Sequence, residues 1–367
     1  MTGFDATDVA VTGIGVVTPR GGDASAADAP RPDAPGDWFD YRTELGRRGY
    51  KYLPPAAQYY LAAANRALAA AGGPTVPTED RGAAVGTNSA AEALHTAMDE
   101  TVVTAGASDL SPATAPYFSI NLFGSRMAME HRLQGFNLTL TTPRIAGLEA
   151  LQTGLRSLRL GRASWLLAGA TEEALDPRDP GAARSEVGAV ALVLERTDLL
   201  RARGGTALGH LAVRSCYVPP DASPDEARAR VARLLADRPA GAGATEPGDV
   251  TAVLDGSTVA TAVHQVLGPD VRRVPAGSGA LEPLLQAVGT VDRHPDRPGA
   301  VVTASAQGNV AVCWVLPAHD DRTHDDRAHD DRAHDERAAQ DDRPAHGERT
   351  APDRTARAEP APAGSAA

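Results

Sequence analysis

Strands that are apolar on both faces are the feature that most constrains the fold of this chain. Residues 165–170 read WLLAGA and residues 188–195 read GAVALVLE, with almost no polar side chain in either segment. A strand of this kind is buried on both sides, so helices must cover both faces of its sheet. Amphipathic or Ala-rich helical segments alternate with the strands along the chain. The pattern therefore predicts an α/β protein.

The predicted strands and helices form two successive sets, and each set opens on a long strand. The two opening strands are expected at residues 9–17, VAVTGIGVV, and at residues 207–217. A hairpin of residues 300–306 and 309–316 closes the second set, after a helix expected at residues 276–288. Two such sets indicate an internally duplicated fold with halves at residues 1–200 and 201–317.

The last fifty residues differ in composition from the rest. From His319 the chain repeats HDDRT, HDDRA, HDDRA and HDERA, and it contains no aliphatic residue larger than Ala after residue 318. Such a segment buries too little apolar area to offset its ordering entropy, so residues 318–367 are expected to be a disordered, solubilising tail. Metal binding by the repeated histidines is the alternative, but a spacing of five does not suit one helical face and no Cys assists.

Composition and charge exclude several classes of protein. The net charge of -11 argues against a nucleic-acid partner, because phosphate binding needs clustered Lys and Arg. No apolar run approaches the roughly 18 residues of a membrane span, and the start, MTGFDATDV, lacks the features of an export signal. Two widely spaced cysteines, Cys216 and Cys313, suggest neither a disulfide framework nor a metal knuckle. We expect a cytoplasmic protein without a metal or other cofactor.

Residues 140–155, LTTPRIAGLEALQTGL, have the form of a strand-to-helix turn that presents a nucleophile. Such a turn usually carries Ser or Cys, and the positive end of the helix would hold a Cys partly as thiolate. Here the tip offers Arg144 and Ile145. Arg is protonated at every accessible pH and has no nucleophilic electron pair, so an acyl-enzyme at this position is excluded.

Three stretches of the chain resemble β-ketoacyl synthases. VAVTGIGVVTPRG resembles their opening strand and turn, GAAVGTNSA resembles their second strand and Gly-rich turn, and NLTLTTPRIAGLEALQTGLRSLRLGRASWLLAGATEEAL follows their nucleophile region. The resemblance extends over roughly residues 8 to 316. It implies a thiolase-like fold, which is a duplicated αβαβα sandwich of five layers.

The resemblance also implies that all the catalytic positions are altered together. The family's nucleophilic Cys is replaced by Arg144, and the first of its two histidines is replaced by Asp255. The segment 274–282, where the second His is expected, contains none, and the last Gly-rich turn survives only as SAQGN, which ends at Asn309. Because the surrounding strands and helices remain, the chain is similar to a subunit that is not an enzyme by itself.

The family member that this pattern resembles is the chain length factor of type II polyketide synthases. The resemblance implies a heterodimer with an active ketosynthase, an acyl carrier protein that brings the growing chain, and a substrate tunnel along the shared interface. It implies that this chain shapes the tunnel and so sets the polyketide chain length. The short second half resembles the partners of ketosynthases that build reduced polyene chains.

Candidate tunnel and interface residues lie in the stretch 113–130, ATAPYFSINLFGSRMAME, and at the turn. Bulky side chains at the end of a groove limit how long an apolar chain can grow. Ordinary core packing is the alternative for each of them. The candidates are Thr114, Tyr117, Phe118, Leu122, Phe123, Met127, Thr142, Arg144 and Ile145.

Three questions stay open at the level of the sequence. Arg144 either reaches across the interface to a carboxylate or backbone carbonyl, or fills the former pocket. An alternative function is a priming subunit that decarboxylates malonyl groups and in which Arg144 holds the malonyl carboxylate. A third class is a binding protein that uses the fold outside polyketide chemistry.

Overall fold

The computed structural model describes residues 5–32, 36–112, 114, 117, 119–239 and 247–318. The candidate tunnel residue Phe118 and the tail from His319 onward lie outside the described residues.

Ten strands of the described residues form one sheet with the order β3-β2-β4-β5-β1-β6-β10-β9-β7-β8. The strands are β1 (Val9–Val17), β2 (Arg81–Gly86), β3 (Asn137–Leu140), β4 (Trp165–Glu172), β5 (Gly188–Arg196), β6 (Gly209–Tyr217), β7 (Val250–Leu254), β8 (Arg272–Pro275), β9 (Gly299–Ala304) and β10 (Asn309–Leu316). Outward from the middle, one half runs β1-β5-β4-β2-β3 and the other β6-β10-β9-β7-β8. The two orders correspond strand for strand, as an internal duplication requires.

The two half-sheets also share their strand directions. In the first half β2 pairs in parallel with β3 and β4, and β5 pairs antiparallel with β4 and β1. In the second half β7 pairs in parallel with β8 and β9, and β10 pairs antiparallel with β9 and β6. A short antiparallel contact, Ala10 with His210 and Val11 with Gly209, joins the halves in the middle. The boundaries at residues 200 and 317 stay predictions.

Helices lie on both faces of this sheet, as the doubly apolar strands predicted. Within the described residues, none is long and apolar enough to cross a membrane. The helices are α1 (Tyr41–Glu44), α2 (Pro55–Ala71), α3 (Glu92–Thr104), α4 (Leu122–His131), α5 (Ala146–Arg159), α6 (Thr197–Ala202), α7 (Pro224–Ala236), α8 (Thr258–Leu267) and α9 (Leu281–Arg293).

The structure differs from the predicted elements at two places. The helix predicted from residue 276 begins only at Leu281, because residues 276–280, AGSGA, form a loop whose Ala280 N–H donates to Glu172 instead of starting a helix. The strand β8 was not predicted, since its sequence, RRVP, has one aliphatic residue and a proline and lies at the sheet edge, where no apolar pattern is needed.

The core has three parts, which correspond to five layers. The helices α5 and α9 lie in the middle, where Leu148 and Leu284 pack with Val190 of the first half-sheet and Val301 of the second. Helices α2 and α4 cover the outer face of the first half-sheet, and α7 and α8 cover that of the second. The predicted thiolase-like αβαβα arrangement is therefore confirmed.

The close approach of α2 to β1 depends on glycine. A Cβ atom on Gly15 would lie 1.9 Å from the carbonyl oxygen of Ala63 on α2. We expect Gly15→Ala to lower the free energy of unfolding by at least about 2 kcal/mol, because backbone atoms must move to admit the methyl group. Urea unfolding measures the change. Gly248→Ala is the matched control, since open space surrounds Gly248. Equal stability of the two variants would contradict the close packing.

Candidate functional site

The turn between β3 and α5 keeps the conformation of a nucleophile turn. Arg144, at its tip, has a φ of +68°, a left-handed conformation that residues other than glycine seldom adopt. Asn88, which follows β2, holds this conformation: its Oδ1 accepts the backbone N–H of Arg144 at 2.9 Å. Its side-chain amide donates to the carbonyls of Thr141 and Thr142 at 3.0 and 3.3 Å. The strained turn is thus stabilised by a neighbouring loop.

The Arg144 side chain is bound within its own chain. Its Nη2 lies 3.4 Å from Oδ2 of Asp255, which directly follows β7, and each of these side chains is 10% exposed. Its Nη1 donates to the carbonyl of Gly277, in the loop between β8 and α9. The positions that resemble the family's Cys, first His and second-His segment therefore do converge in space. What they form is an ion pair with one further hydrogen bond.

This arrangement defines what the site can do chemically. Arg144 offers donors only, and a carboxylate already neutralises its charge. Asp255 is in turn held by the backbone N–H of Ser257, which donates to its Oδ1 at 2.9 Å. The acceptors that the sequence led us to expect across an interface, a carboxylate and a carbonyl, are supplied by this chain. The geometry suits a structural link better than proton transfer or acyl transfer.

A buried carboxylate, Glu172, lies behind the turn and was missed by the sequence analysis. It ends β4 and accepts backbone N–H groups from Asn88 at 2.8 Å, from Ser89 at 2.7 Å and from Ala280 at 2.7 Å. Burial raises its pKa to about 7. The signal was present in the sequence, because AGATE stands where the family has Ala-Gly-Gly-x-Glu. Glu172 positions the loops that surround Arg144.

A second buried charged cluster fixes the start of α9. Glu282 accepts hydrogen bonds from Arg20 and Arg31, the latter at 2.9 Å. Glu186 accepts the backbone N–H groups of Leu281 and Glu282 at 2.7 and 2.9 Å, and burial together with the charge of Glu282 raises its pKa. These residues come from three distant segments, so no local pattern could have brought them together.

The neighbouring Glu173 is also buried, at the start of α2. One of its carboxylate oxygens accepts the backbone N–H of Ala56 at 3.2 Å, and the other has no hydrogen-bond partner among the described residues. Burial raises the pKa of Glu173 to about 7.

The predicted tunnel and interface residues fall into different environments. Phe123 and Met127, on α4, are fully buried in the core that this chain forms with α2 and the first half-sheet. Tyr117 and Leu122 are half-buried, and Thr114 donates to the carbonyl of Ser111 at 2.8 Å. Their role in a tunnel stays a prediction.

The remaining predicted residues lie in or near the central layer. Ile145 is buried between the half-sheets, and Thr142 donates its hydroxyl hydrogen to Glu149 of α5. Asn309 begins β10 and donates from Nδ2 to the Ser305 hydroxyl at 3.3 Å. Among the described hydrogen bonds, none joins Asn309 to Arg144 or Asp255.

The two edges of the sheet differ in a way that bears on assembly. The edge strand β8 carries the exposed residues Arg273 and Pro275, which discourage pairing with another strand. The opposite edge strand, β3, reads NLTL and has neither a charge nor a proline. The helix α3, in the connection between β2 and β3, has no fully buried residue. The edge at β3 is therefore better suited than the edge at β8 to pairing with a strand of another chain.

Comparison with known proteins identifies the architecture. Residues 38–198 match the family described as Beta-ketoacyl synthase, N-terminal domain. No curated protein matches the sequence significantly. Among solved structures, the ishigamide ketosynthase/chain length factor superposes with a TM-score of 0.67 and 23% identity, over 85% of this chain and 100% of that one.

Two further structures have the same fold at lower identity. A type II PKS acyl-carrier protein in complex with its ketosynthase bound to the hexaketide matches with a TM-score of 0.65 and 16% identity, over 84% of this chain and 98% of that one. A beta-ketoacyl synthase from Burkholderia phymatum matches with a TM-score of 0.63 and 15% identity, over 85% of this chain and 100% of that one.

A double-mutant cycle tests the link between Arg144 and Asp255. We expect Arg144→Ala and Asp255→Ala each to cost about 1–3 kcal/mol of unfolding free energy, because each leaves a largely buried charge unpaired. The double variant should cost clearly less than the sum. The exposed pair Arg230 and Glu226 is the matched control, with an expected coupling of about 0.3–0.5 kcal/mol. Strict additivity at 144 and 255 would contradict the pairing.

The raised pKa of Glu173 predicts a pH effect on stability. Its carboxyl binds a proton more tightly in the folded chain, where the pKa is about 7, than at the ordinary value of 4.5. The free energy of unfolding therefore falls as the pH rises between these values. The Glu173→Gln variant has no ionisable group at this position, so its free energy of unfolding should fall less than that of the wild type over this pH range. The difference between the two should reach at most about 3 kcal/mol. Urea unfolding between about pH 5 and pH 8 measures the free energy of unfolding of each protein.

The control variant is Glu79→Gln, which removes a carboxyl group at an exposed position. If Glu173→Gln had the same pH profile as the wild type, the proposed effect of Glu173 would be refuted.

Proposed function

We propose that this chain is a non-catalytic, chain-length-factor-like subunit, because residues 38–198 match the N-terminal domain of β-ketoacyl synthases and the fold is that of a ketosynthase/chain length factor. It pairs with an active ketosynthase in a type II polyketide synthase. The partner supplies the nucleophile and its histidines, and an acyl carrier protein brings the growing chain. This subunit supplies part of the tunnel wall that sets the length of the polyketide.

The observation that carries the proposal is the state of the nucleophile position. The turn, its left-handed tip and the loops around it are retained, while Arg144 and Asp255 neutralise each other where an acyl group would be received. A chain that keeps this scaffold without an acyl acceptor fits a subunit that shapes a site which its partner operates. The malonyl-priming alternative gains no support, because a malonyl carboxylate would have to displace Asp255 from Arg144.

The free edge of the sheet supports the pairing. An unprotected edge strand such as β3 is a template for a strand of another chain. The helix α3 and the half-buried residues Tyr117 and Leu122 lie in the connection between β2 and β3. The segment that we propose as tunnel wall therefore directly precedes this edge strand in the chain.

The named neighbours support the choice of partners. One is described as a ketosynthase/chain length factor, and another as a carrier protein in complex with its ketosynthase. The proposal transfers those two partners, a ketosynthase and an acyl carrier protein, to this chain.

Co-expression with an intact ketosynthase from the same genome tests the proposal. We expect a 1:1 complex, and we expect Tyr117→Ala and Leu122→Ala to lengthen the product by one or more extension units, because less bulk closes the tunnel. Mass spectrometry of the products measures the length. Leu267→Ala, at a half-buried position on α8 in the other half, is the matched control and should leave product length unchanged.

A chain that remains alone in solution and alters no ketosynthase product would contradict the proposed function. If the complex forms and both substitutions leave the product length unchanged, the tunnel role of Tyr117 and Leu122 is contradicted. The pairing with a ketosynthase is not.

A further inference from the structure

A cavity opens beside Glu186, the residue whose carboxylate fixes the start of α9. Its volume is about 270 Å³, close to the lower limit of pockets that hold small molecules. Arg20 and Arg31 also line it. The apolar residues of its wall include Pro19, Pro32, Leu175, Pro177, Ala183 and Val187. A ligand that fits this cavity is therefore small and mostly apolar.

Two residues that line the cavity each carry a buried polar atom that has no hydrogen-bond partner among the described residues. These atoms are Oε1 of Glu186, whose side chain is 1% exposed, and Nε of Arg31. The other carboxylate oxygen of Glu186 accepts two backbone N–H groups, and Nη2 of Arg31 donates to Glu282 at 2.9 Å. A buried polar atom without a partner costs free energy. One of the two unpaired atoms is an acceptor and the other is a donor.

The unpaired acceptor and the unpaired donor lie close together. Oε1 of Glu186 is 4.0 Å from Nη2 of Arg31, and this nitrogen belongs to the same planar guanidinium as Nε. A distance of 4.0 Å is too long for a hydrogen bond. One small polar group can therefore contact both atoms, if it accepts a hydrogen bond from Nε and donates one to Oε1.

The formal charges around the cavity balance without a ligand. Arg20 and Arg31 both bind Glu282, and Glu186 is the second carboxylate beside them. The side chains of Arg20, Glu186 and Glu282 are each less than one-tenth exposed. A charged ligand would add an unbalanced charge to this largely buried cluster, which is costly. The cavity therefore favours a neutral ligand.

We propose that this cavity binds a small neutral molecule that carries a primary amide. The amide N–H donates to Oε1 of Glu186, and the amide carbonyl accepts from Nε of Arg31. A primary amide has a donor and an acceptor on one planar group, which matches the two unpaired atoms. The site adjoins the Arg144 ion pair, because a Cβ atom on Gly277, whose carbonyl accepts from Arg144, would clash with Oε1 of Glu186. Such binding does not depend on the proposed pairing with a ketosynthase.

NMR titration of the full-length chain with butyramide and with butyrate tests this site. The two probes share a carbon chain, but butyrate is charged and can only accept hydrogen bonds. Burial and the charge of Glu282 raise the pKa of Glu186, so the titration is done at about pH 8 to favour its carboxylate form. We expect butyramide to bind with a Kd on the order of 1 mM, and butyrate to bind at least about tenfold more weakly.

The Glu186→Gln variant should reverse this preference. Only the amide oxygen of Gln can accept the N–H groups of Leu281 and Glu282, so the amide nitrogen takes the place of Oε1 and becomes a donor. We expect this variant to bind butyrate at least about threefold more tightly than butyramide, because butyrate then meets two donors. The matched control is Glu195→Gln, which removes a buried carboxylate near the far end of β5 and should keep the wild-type preference. Circular dichroism checks that both variants are folded.

Each other result overturns the proposed site. A wild-type chain that binds neither probe, or binds both equally, excludes an amide site without the use of any variant. A Glu186→Gln variant that still prefers butyramide, or a Glu195→Gln variant that loses the preference, places the amide outside this cavity. A chain that shows the expected binding but pairs with no ketosynthase has the site and lacks the proposed function.

Discussion

The arrangement of the site depends on one buried carboxylate, Glu172. From the end of β4 it accepts backbone N–H groups from the loop after β2 and from the loop before α9, so it joins the first half of the chain to the second. A buried carboxylate without donors is costly, and these loops are fixed because they supply the donors. The loop after β2 also carries Asn88, which holds the tip of the turn at Arg144. Glu172 and Asn88 therefore hold the loops that form the site.

The ion pair couples the residues at positions that resemble different catalytic positions of the family. An arginine at a largely buried turn tip needs an anion, since breaking a buried pair costs several kcal/mol. Asp255 supplies that anion from the position that resembles the first histidine, and the Gly277 carbonyl supplies a further acceptor from the segment that lacks the second. These residues are thus physically coupled, and together they link the two halves of the chain.

The sequence predicted the parts of this protein that are encoded locally. Strands such as 165–170 and 188–195, the turn at Arg144 and the duplicated architecture follow from apolar patterns and from the family resemblance. The ion pair does not, because Arg144 and Asp255 are 111 residues apart and meet only in the folded chain. The edge strand β8 and the residue at which α9 begins depend on neighbouring segments of the folded chain. The intrinsic helix or strand propensity of their own residues does not determine them. Composition alone could not show that no residue of α3 is fully buried, because that depends on what packs against it.

The central claim is that this chain carries no acyl group and that a partner does. Intact-mass spectrometry, after the purified chain and then its complex are incubated with acyl- and malonyl-loaded carrier protein, tests it most directly. The account predicts that the mass of this chain stays unchanged, that malonyl groups persist in its presence, and that acyl adducts form on the ketosynthase subunit. A covalent acyl adduct on this chain, or malonyl decarboxylation by the isolated chain that is lost in Arg144→Ala, would contradict it.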